Sequence, residues 1–459
     1  MSTTLALPSS LDSAVSKIFR RVVPLLIIML ICNQLNRSNI GYAQKYLEAD
    51  VGIGAAAYGF GAGVFFIAYA IFELPSNMMM EKFGVRIWLT RIMVSWGLIS
   101  AATAFVQNAE MFYVLRFLLG AAEAGFFPAV IFYLAKWLPN SHRGRATALF
   151  VAGSSVAAAI SGPISGPLLS LNGVLGVHGW QWMFGLEGAL SVLVGIIAYF
   201  MLDSHIGDAT WLTHDERTVL SATIDREEEE KVATSGMGDG RSRWKMLVDP
   251  KLILFCWIYF AIQLSIYANT FWLPSIVRRI QGTNDITVGL LSSLPWICAV
   301  VAMYLSSRLG DHNPARRRSL LIIALLTAAV GTYLAAIASP WLALAFLCIA
   351  AMGFKSASPL FWAFPQSMLH PMVLAPAVAI INSLGNLGGF VAPYGFGLIK
   401  EATGQVTWGL YGLAIASALG AILALFIRKS GSSDDTSETA VVNADNTDVG
   451  DPIQERLTR

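Results

Sequence analysis

The run Arg116-Phe-Leu-Leu-Gly-Ala-Ala-Glu123-Ala-Gly-Phe-Phe-Pro128 places two charged residues in a stretch that otherwise has the composition of a membrane helix. A charged side chain near the centre of such a helix costs about 2.5–3.5 kcal/mol on insertion scales, and this cost is tolerated chiefly where the charge has a partner or faces a wet cavity. Arg116 and Glu123 are seven residues apart, which is about two turns, or roughly 10 Å, along one helix face. Because Arg37 lies in another apolar segment, the three charges predict a polar pathway through a helix bundle.

The composition places the chain in a lipid bilayer. It is 55% hydrophobic and 13% charged, whereas soluble domains carry about 25% charged residues. The net charge of +2 gives no indication of a nucleic-acid partner. No signal-peptide cleavage pattern precedes the first apolar segment, so we expect that segment to be retained as a helix. The cysteines have no ligand-like spacing, and we expect buried free thiols at Cys32, Cys256, Cys298 and Cys348.

Segments of about 20 apolar residues are long enough to cross a bilayer. Twelve such segments can be found, at about 22–43, 56–80, 87–107, 110–136, 144–170, 180–202, 250–275, 286–307, 318–338, 340–365, 372–398 and 407–428. The sequence therefore predicts an all-α membrane protein with twelve transmembrane helices in two six-helix halves.

The polar segments predict how the chain is organised. We expect an N-terminal segment 1–21, a six-helix bundle 22–202, a linker 203–249, a second bundle 250–428 and a disordered tail 429–459. Basic residues are concentrated in the even-numbered loops, including Lys82 and Arg86, so the positive-inside rule predicts cytoplasmic termini and a cytoplasmic linker. The glycine- and proline-rich stretches 161–167 and 385–393 occupy equivalent places in the two halves, and transporters built from paired halves bind substrate between them.

Several stretches together resemble a known family. They are Leu35-Asn-Arg37-Ser-Asn39-Ile-Gly41, the run from Arg116 to Pro128, Trp137-Leu-Pro139 with Arg143-Gly-Arg145-Ala146, Gly179-Trp-Gln-Trp-Met-Phe184 with Glu187-Gly188, Trp211-Leu-Thr213 with Glu216, and Asn382 with Gly385-Asn386. The chain is similar to major facilitator superfamily transporters, and most of all to the bacterial branch of the anion:cation symporter family.

This resemblance implies the fold and a function. The implied fold is the twelve-helix major facilitator fold in a bacterial inner membrane, with the chain acting as a monomer and needing no cofactor. The implied function is import of a small organic anion by alternating access, with cargo such as a hydroxyphenylacetate, phthalate, tartrate or sugar acid. A proton is the expected coupling ion, and sodium stays open.

Arg37 is the main candidate for gripping the carboxylate of the anion. A guanidinium cannot be deprotonated in a protein and suits a two-point contact with a carboxylate. The alternative is an Arg that snorkels to the membrane surface. The resemblance also implies that Tyr69, Trp362 and Asn382 reach the substrate, and Gln263 adds a polar group on the seventh helix.

Glu123 is the main candidate for carrying the coupling proton, although it could instead be a structural partner of a helix arginine. Arg116 could stabilise Glu123 or pair with carbonyl groups at a helix end. Glu73 is a secondary proton candidate in the second helix. The family usually has an aspartate where this chain has Asn36, which puts a two-carboxylate coupling scheme in doubt.

Two further sets of charges have both a structural and a functional interpretation. Glu81, Lys82 and Arg86 could form an inner gate latch or could simply be a solvated loop. Lys355 could pair locally or could be a second anion contact opposite Arg37.

Rival functions stay open. An antiporter is favoured by Gly162-Pro163 with Gly166, which partly resemble an exchanger motif. A membrane-embedded lipid enzyme is disfavoured because the sequence has no paired catalytic acids, metal-ligand cluster or nucleophile motif. A substrate sensor is disfavoured because the linker is too short and polar for a signalling domain.

Overall fold

A computed structural model of the chain describes residues 7–234, 250–368 and 371–427. Every long element within these residues is an α-helix, which confirms the expected all-α class. The predicted tail 429–459 and residues 235–249 of the predicted linker lie outside the described residues, so what was expected of them stays a prediction.

The described part of the N-terminal half contains seven α-helices. They are α1 Leu7–Val51, α2 Ala55–Phe83, α3 Val85–Ala102, α4 Ala109–Glu123, α5 Phe126–Trp137, α6 Asn140–Leu169 and α7 Gly179–Met201. The predicted span 22–43 thus lies inside a helix of 45 residues, which begins within the predicted N-terminal segment 1–21. An ion pair anchors this extension, because Lys17 Nζ lies 2.7 Å from the Glu216 carboxylate.

The predicted span 110–136 is bent into α4 and α5. The Asn108 side chain caps the start of α4 by accepting from the Met111 N–H. At the bend, Gly125 has a φ of +87°, and a Cβ atom there would lie 2.4 Å from Ser76 Oγ. Only glycine suits this conformation and this space. The bend makes Glu123 the last residue of α4.

The rest of the chain contributes eight described helices. They are α8 His214–Thr234, α9 Pro250–Val277, α10 Asp285–His312, α11 Arg317–Ile337, α12 Pro340–Met368, α13 Pro371–Asn386, α14 Gly388–Thr403 and α15 Thr407–Ala424. The region predicted as a polar linker therefore contains a helix, α8. The predicted span 372–398 is divided at Leu387 into two helices of 16 residues each.

Ten stretches of the described chain, with α4 and α5 counted together, are long and apolar enough to cross a membrane. The other two predicted segments are helical as well: 22–43 lies within α1, and 372–398 falls on α13 and α14.

The two halves meet through closely packed glycines. A Cβ atom on Gly162 of α6 would lie 2.0 Å from the carbonyl oxygen of Gly289 on α10, and one on Gly289 would lie 2.2 Å from the Gly162 carbonyl oxygen. On the other side of the bundle, a Cβ atom on Gly59 of α2 would lie 2.3 Å from the carbonyl oxygen of Pro393 on α14. Small residues allow this close helix packing.

Hydrogen bonds join the halves at the same end of the bundle. The Tyr46 hydroxyl donates to Asp285 at 2.7 Å, and the Tyr58 hydroxyl donates to the Phe271 carbonyl at 3.0 Å. We call this the closed end, and it contains the end of α1 and the start of α2. The opposite end contains the end of α2 at Phe83, and we call it the open end because the cavity between the halves extends to Gln366, near the end of α12 on that side.

Candidate functional site

A cavity with a volume of about 810 Å³ lies between the two halves. Its walls come from α1, α5 and α6 of one half and from α9, α10, α12 and α13 of the other. Polar and aromatic groups dominate the lining: Gln34, Arg37, Ser38, Tyr42, Ser161, Tyr259, Gln263, Tyr267, Asn269, Trp296, Lys355, Trp362, Gln366 and Asn382. This composition suits a small polar ligand with an apolar part.

Arg37 reaches this cavity from the middle of α1. Its guanidinium forms an ion pair with Glu123, and its side chain is 17% exposed. The guanidinium carbon lies 5.1 Å from the ring centre of Phe65 and 5.7 Å from that of Tyr69. Aromatic faces at this distance stabilise a cation. Arg37 is therefore surrounded by an acidic partner and aromatic rings inside the bundle. The alternative of an arginine that snorkels to the membrane surface is wrong for this conformation.

Arg116 lies deeper than Arg37 and is 2% exposed. Its Nε donates to the Gly61 carbonyl at 3.4 Å, and its guanidinium carbon lies 5.1 Å from the Phe65 ring centre. The ring of Phe65 is thus the common neighbour of two guanidinium groups. Arg116 is thus buried and hydrogen-bonded to a carbonyl of α2. Its part in proton coupling stays a prediction.

A smaller cavity of about 300 Å³ adjoins the ion pair. Arg37, Tyr69, Glu73 and Glu123 line it from one half, and Gln263, Asn382 and Asn386 line it from the other. The break between α13 and α14 places Asn386, whose side-chain oxygen accepts from Gln263 at 3.4 Å and from Tyr267 at 3.4 Å.

Most of the residues predicted from the sequence are therefore together. Arg37, Gln263 and Asn382 line both cavities, Trp362 lines the larger one, and Tyr69, Glu73 and Glu123 line the smaller one.

The residues predicted to form a gate lie apart from this site, at the open end. Arg86 donates to the Tyr199 carbonyl at 2.7 Å. Its guanidinium carbon lies 4.5 Å from the centre of the Tyr199 ring. Lys82 lies over the ring of its neighbour Phe83 at 5.6 Å. These contacts of Lys82 and Arg86 stay within the N-terminal half, and a latch involving Glu81, Lys82 and Arg86 stays a prediction.

Glu187 is a buried acid that the sequence reasoning did not treat as a site. It lies on α7 and is 2% exposed. Its carboxylate accepts from Asn39 at 2.9 Å and from Ser165 at 2.8 Å. It is an acidic residue within the predicted span 180–202, so the rule that singled out Glu123 could have found it.

Asn36 on α1 is connected to Glu187 through Ser191, because its amide donates to Ser191, which donates in turn to the Glu187 carbonyl. Its amide donates to the Cys32 carbonyl at 2.8 Å and to Ser191 at 2.5 Å, and Ser100 donates to its oxygen. Asn36 is 2% exposed. An amide can satisfy donors and acceptors together, which an ionised aspartate cannot.

The described residues contain no group of three or more His, Cys, Asp and Glu side chains that could hold a metal ion. The four cysteines are free, as expected. Cys32 and Cys256 are buried, whereas Cys298 and Cys348 are only partly buried, which corrects the expectation for those two.

Comparisons with known proteins identify the family. A sequence profile described as the Major Facilitator Superfamily matches residues 26–393. A quinolone resistance transporter of Acinetobacter baumannii is 38% identical over 407 residues, covering 89% of this chain and 93% of that protein. A putative tartrate transporter of Agrobacterium vitis is 38% identical over 424 residues, covering 92% of this chain and 93% of that protein.

Among solved structures, the inward open conformation of the xylose transporter XylE from E. coli superposes with a TM-score of 0.72. It is 14% identical and covers 91% of this chain and 98% of that one, so this likeness concerns the fold. The chain belongs to the major facilitator superfamily. It is a multi-pass membrane transporter and not an enzyme.

Proposed function

We propose that this transporter imports a small organic anion together with a proton by alternating access. The observation that carries the proposal is the Arg37–Glu123 ion pair on the wall of a cavity between the two halves. A fixed cation facing a wet cavity inside the membrane favours an anionic ligand. A carboxylate already bound to that cation offers a way to couple the ligand to a proton.

The coupling follows from competition for one guanidinium. When Glu123 is ionised, it occupies Arg37. When Glu123 takes up a proton, its attraction for Arg37 falls, and the carboxylate of the substrate can take its place with two parallel hydrogen bonds. Substrate and proton are then bound together, which is the condition for symport. Tyr69, Gln263, Trp362 and Asn382 supply hydrogen bonds and an aromatic surface around the rest of the anion.

We place the open end and both termini in the cytoplasm of a bacterial inner membrane. Lys82 and Arg86 lie at the open end, and an excess of basic residues marks the cytoplasmic side. In this conformation the closed end then faces outward, and opening it requires separation of the Gly162–Gly289 contact. The named relative from Agrobacterium vitis supports an organic acid as cargo.

An organic-anion exchanger is the second candidate. The tight contact of Gly162 with Gly289 involves the stretch of α6 that resembles an exchanger motif. The name of the quinolone resistance transporter, which refers to resistance and not to uptake, is a second reason to keep this candidate.

Uptake into proteoliposomes separates the two candidates. Radiolabelled tartrate, phthalate, 4-hydroxyphenylacetate and gluconate are supplied to vesicles that are either empty or preloaded with the same unlabelled anion. A symporter accumulates its substrate in empty vesicles when the outside is acidified. An exchanger takes up label only into the preloaded vesicles, and that result would overturn the proposal of symport.

A further inference from the structure

One face of α12 is turned toward the larger cavity. Lys355, Ser358, Pro359, Trp362 and Gln366 all line that cavity. Their spacing of three, four, seven and eleven residues from Lys355 is that of a single helix face. Lys355 therefore faces the space between the halves and not the lipid.

Lys355 has no acidic partner within residues 7–234, 250–368 and 371–427. Among the described residues it takes part in no ion pair, and its Nζ lies 5.5 Å from the ring centre of Trp296. The residues that line the larger cavity include two charged side chains, Arg37 and Lys355, and both are cations. Arg37 is already bound to Glu123, so Lys355 is the cation of this cavity that lacks a carboxylate.

An ammonium group at membrane depth is costly unless another charge offsets it. The ring of Trp296 offsets part of this cost, because an aromatic face attracts a cation more weakly than a carboxylate does. Hydration offsets a further part whenever water reaches the cavity. Once the cavity closes around a ligand, this hydration is reduced, and the ligand itself has to supply the compensating charge.

We propose that Lys355 is a second carboxylate subsite and that the preferred cargo is a small anion with two carboxylate groups. One carboxylate binds Arg37 in the N-terminal half, and the other binds Lys355 in the C-terminal half. This inference rests on the proposed function, because the role of Arg37 as the first subsite comes from it.

Arg37 and Lys355 lie on opposite halves, so a ligand that binds both of them affects how the halves move in the transport cycle. A dicarboxylate binds both halves at once and so stabilises a state in which they approach each other around the ligand. A monocarboxylate of the same size leaves Lys355 uncompensated in that state. The cost of this unpaired charge selects against monocarboxylates.

Matched ligand pairs test the inference. The full-length protein is purified in detergent, and binding is followed by tryptophan fluorescence at pH 7.5. Tartrate is compared with threonate, in which a hydroxymethyl group replaces one carboxylate, and phthalate is compared with 2-(hydroxymethyl)benzoate. We expect the wild type to bind at least one dicarboxylate about ten- to hundredfold more tightly than its matched monocarboxylate.

Variants of Lys355 locate the effect. Lys355→Gln should remove most of this preference by weakening the dicarboxylate while leaving the monocarboxylate within about threefold of wild type. Lys355→Arg should keep the preference, which would exclude general misfolding as the cause. A Lys355→Gln protein that keeps the wild-type preference would overturn the inference.

The remaining outcomes separate this inference from the proposed function. If both members of a pair bind equally well and Arg37→Ala abolishes both, the anion site stands and the second subsite is wrong. If the wild type binds none of the four anions but takes up 4-hydroxyphenylacetate or gluconate in proteoliposomes, the second subsite is wrong and the organic-anion function stands. If it takes up neither of these as well, both the second subsite and the proposed organic-anion function are contradicted.

Discussion

Arg37 on α1 and Glu123 on α4 form an ion pair that joins residues 86 positions apart in the chain. The pair lies where the smaller cavity meets the larger one, because Arg37 lines both and Glu123 lines the smaller. One contact therefore brings together the group proposed to bind the anion and the group proposed to carry the proton.

Replacing Arg37 tests the anion site. Arg37→Lys keeps the charge but loses the planar pair of donors, so we expect weak transport or none. Arg37→Ala should abolish transport and, by leaving Glu123 unpaired, cost about 3–5 kcal/mol of stability. The measurements are uptake into proteoliposomes and thermal unfolding of the purified variants.

A double variant separates these two effects of the alanine change. Arg37→Ala combined with Glu123→Gln removes both charges, so stability should largely return while transport stays absent. Wild-type uptake affinity in the single Arg37→Ala variant would remove Arg37 from the site.

The closed end should loosen when its charged contact is weakened. Asp285 accepts from Tyr46 at 2.7 Å and pairs with Arg278 at 2.7 Å. Asp285→Asn keeps the shape and removes the charge, so we expect a shift toward conformations opened at this end. Labelling of Ser275→Cys by an impermeant maleimide should then be about tenfold faster.

Ser275 suits this measurement because its hydroxyl donates to Gln44 at 2.9 Å across the closed end. Ser170→Cys is the control, since Ser170 lies at the same end but is already exposed. Equal labelling of Ser275→Cys with and without Asp285→Asn would show that the charge of Asp285, in its contacts with Tyr46 and Arg278, does not hold this end closed.

The contact between α1 and α8 should make stability depend on pH. Burial opposes the ionisation of Glu216, but hydrogen bonds from Lys17, the Thr213 N–H and Ser13 outweigh it and lower the pKa of Glu216 to about 2. The ordinary pKa of a glutamate is about 4.3. The stabilisation is therefore complete above that ordinary value and is lost as the pH falls toward 2.

Glu216→Gln should lower the melting temperature by a few degrees at pH 7, and its difference from the wild type should shrink as the pH falls from 5 toward 3. Scanning calorimetry or fluorescence-monitored unfolding checks this. A difference that stays constant over that range would mean that the Lys17–Glu216 contact is not responsible.

Asn36 provides a test of how coupling is distributed. An aspartate there would face the Cys32 carbonyl and Ser191 without a cation partner, and burial of an unpaired carboxylate is costly. We expect Asn36→Asp either to make uptake depend more steeply on the proton gradient or to arrest the carrier. The transmembrane potential contributes about 2.3 kcal/mol for each elementary charge moved across the membrane per 100 mV.

The measurement is uptake with the pH gradient and a valinomycin-clamped potential set independently. The membrane potential is varied because a dianion needs at least two accompanying protons to avoid moving net negative charge inward. A wild type that already moves two or more protons per anion, unchanged by Asn36→Asp, would show that this position has no bearing on coupling.

The membrane cost of charge made the main site residues predictable from sequence. Arg37, Glu73 and Glu123 stand out because a charge inside an apolar segment needs a reason to be there. The residues that they contact were harder to predict from the sequence. The spacing of Arg116 and Glu123 suggested a relationship along one helix, whereas Glu123 is paired with Arg37 of another helix. Pairing between helices depends on how they pack, which spacing within one helix does not reveal.

The local breaks in the helices were also missed. The division of α13 from α14 positions Asn386 beside the ligand cavity, and the bend at Gly125 ends α4 at Glu123. Glycine is common in membrane helices, so a glycine by itself does not distinguish close packing from a bend. The positive φ of Gly125 becomes visible only in the folded chain.

The most direct test of the proposed coupling is Glu123→Gln, which resembles the protonated carboxyl and cannot titrate. Two rates are compared in proteoliposomes: accumulation of a labelled anion driven by a pH gradient, and counterflow exchange at equal pH. Glu110→Gln is the matched control, since Glu110 lies on the same helix and is exposed. We predict that Glu123→Gln loses accumulation and keeps part of the counterflow, while the control retains both. Accumulation driven by the proton gradient in Glu123→Gln would contradict the account and make Glu73 the next candidate for carrying the proton.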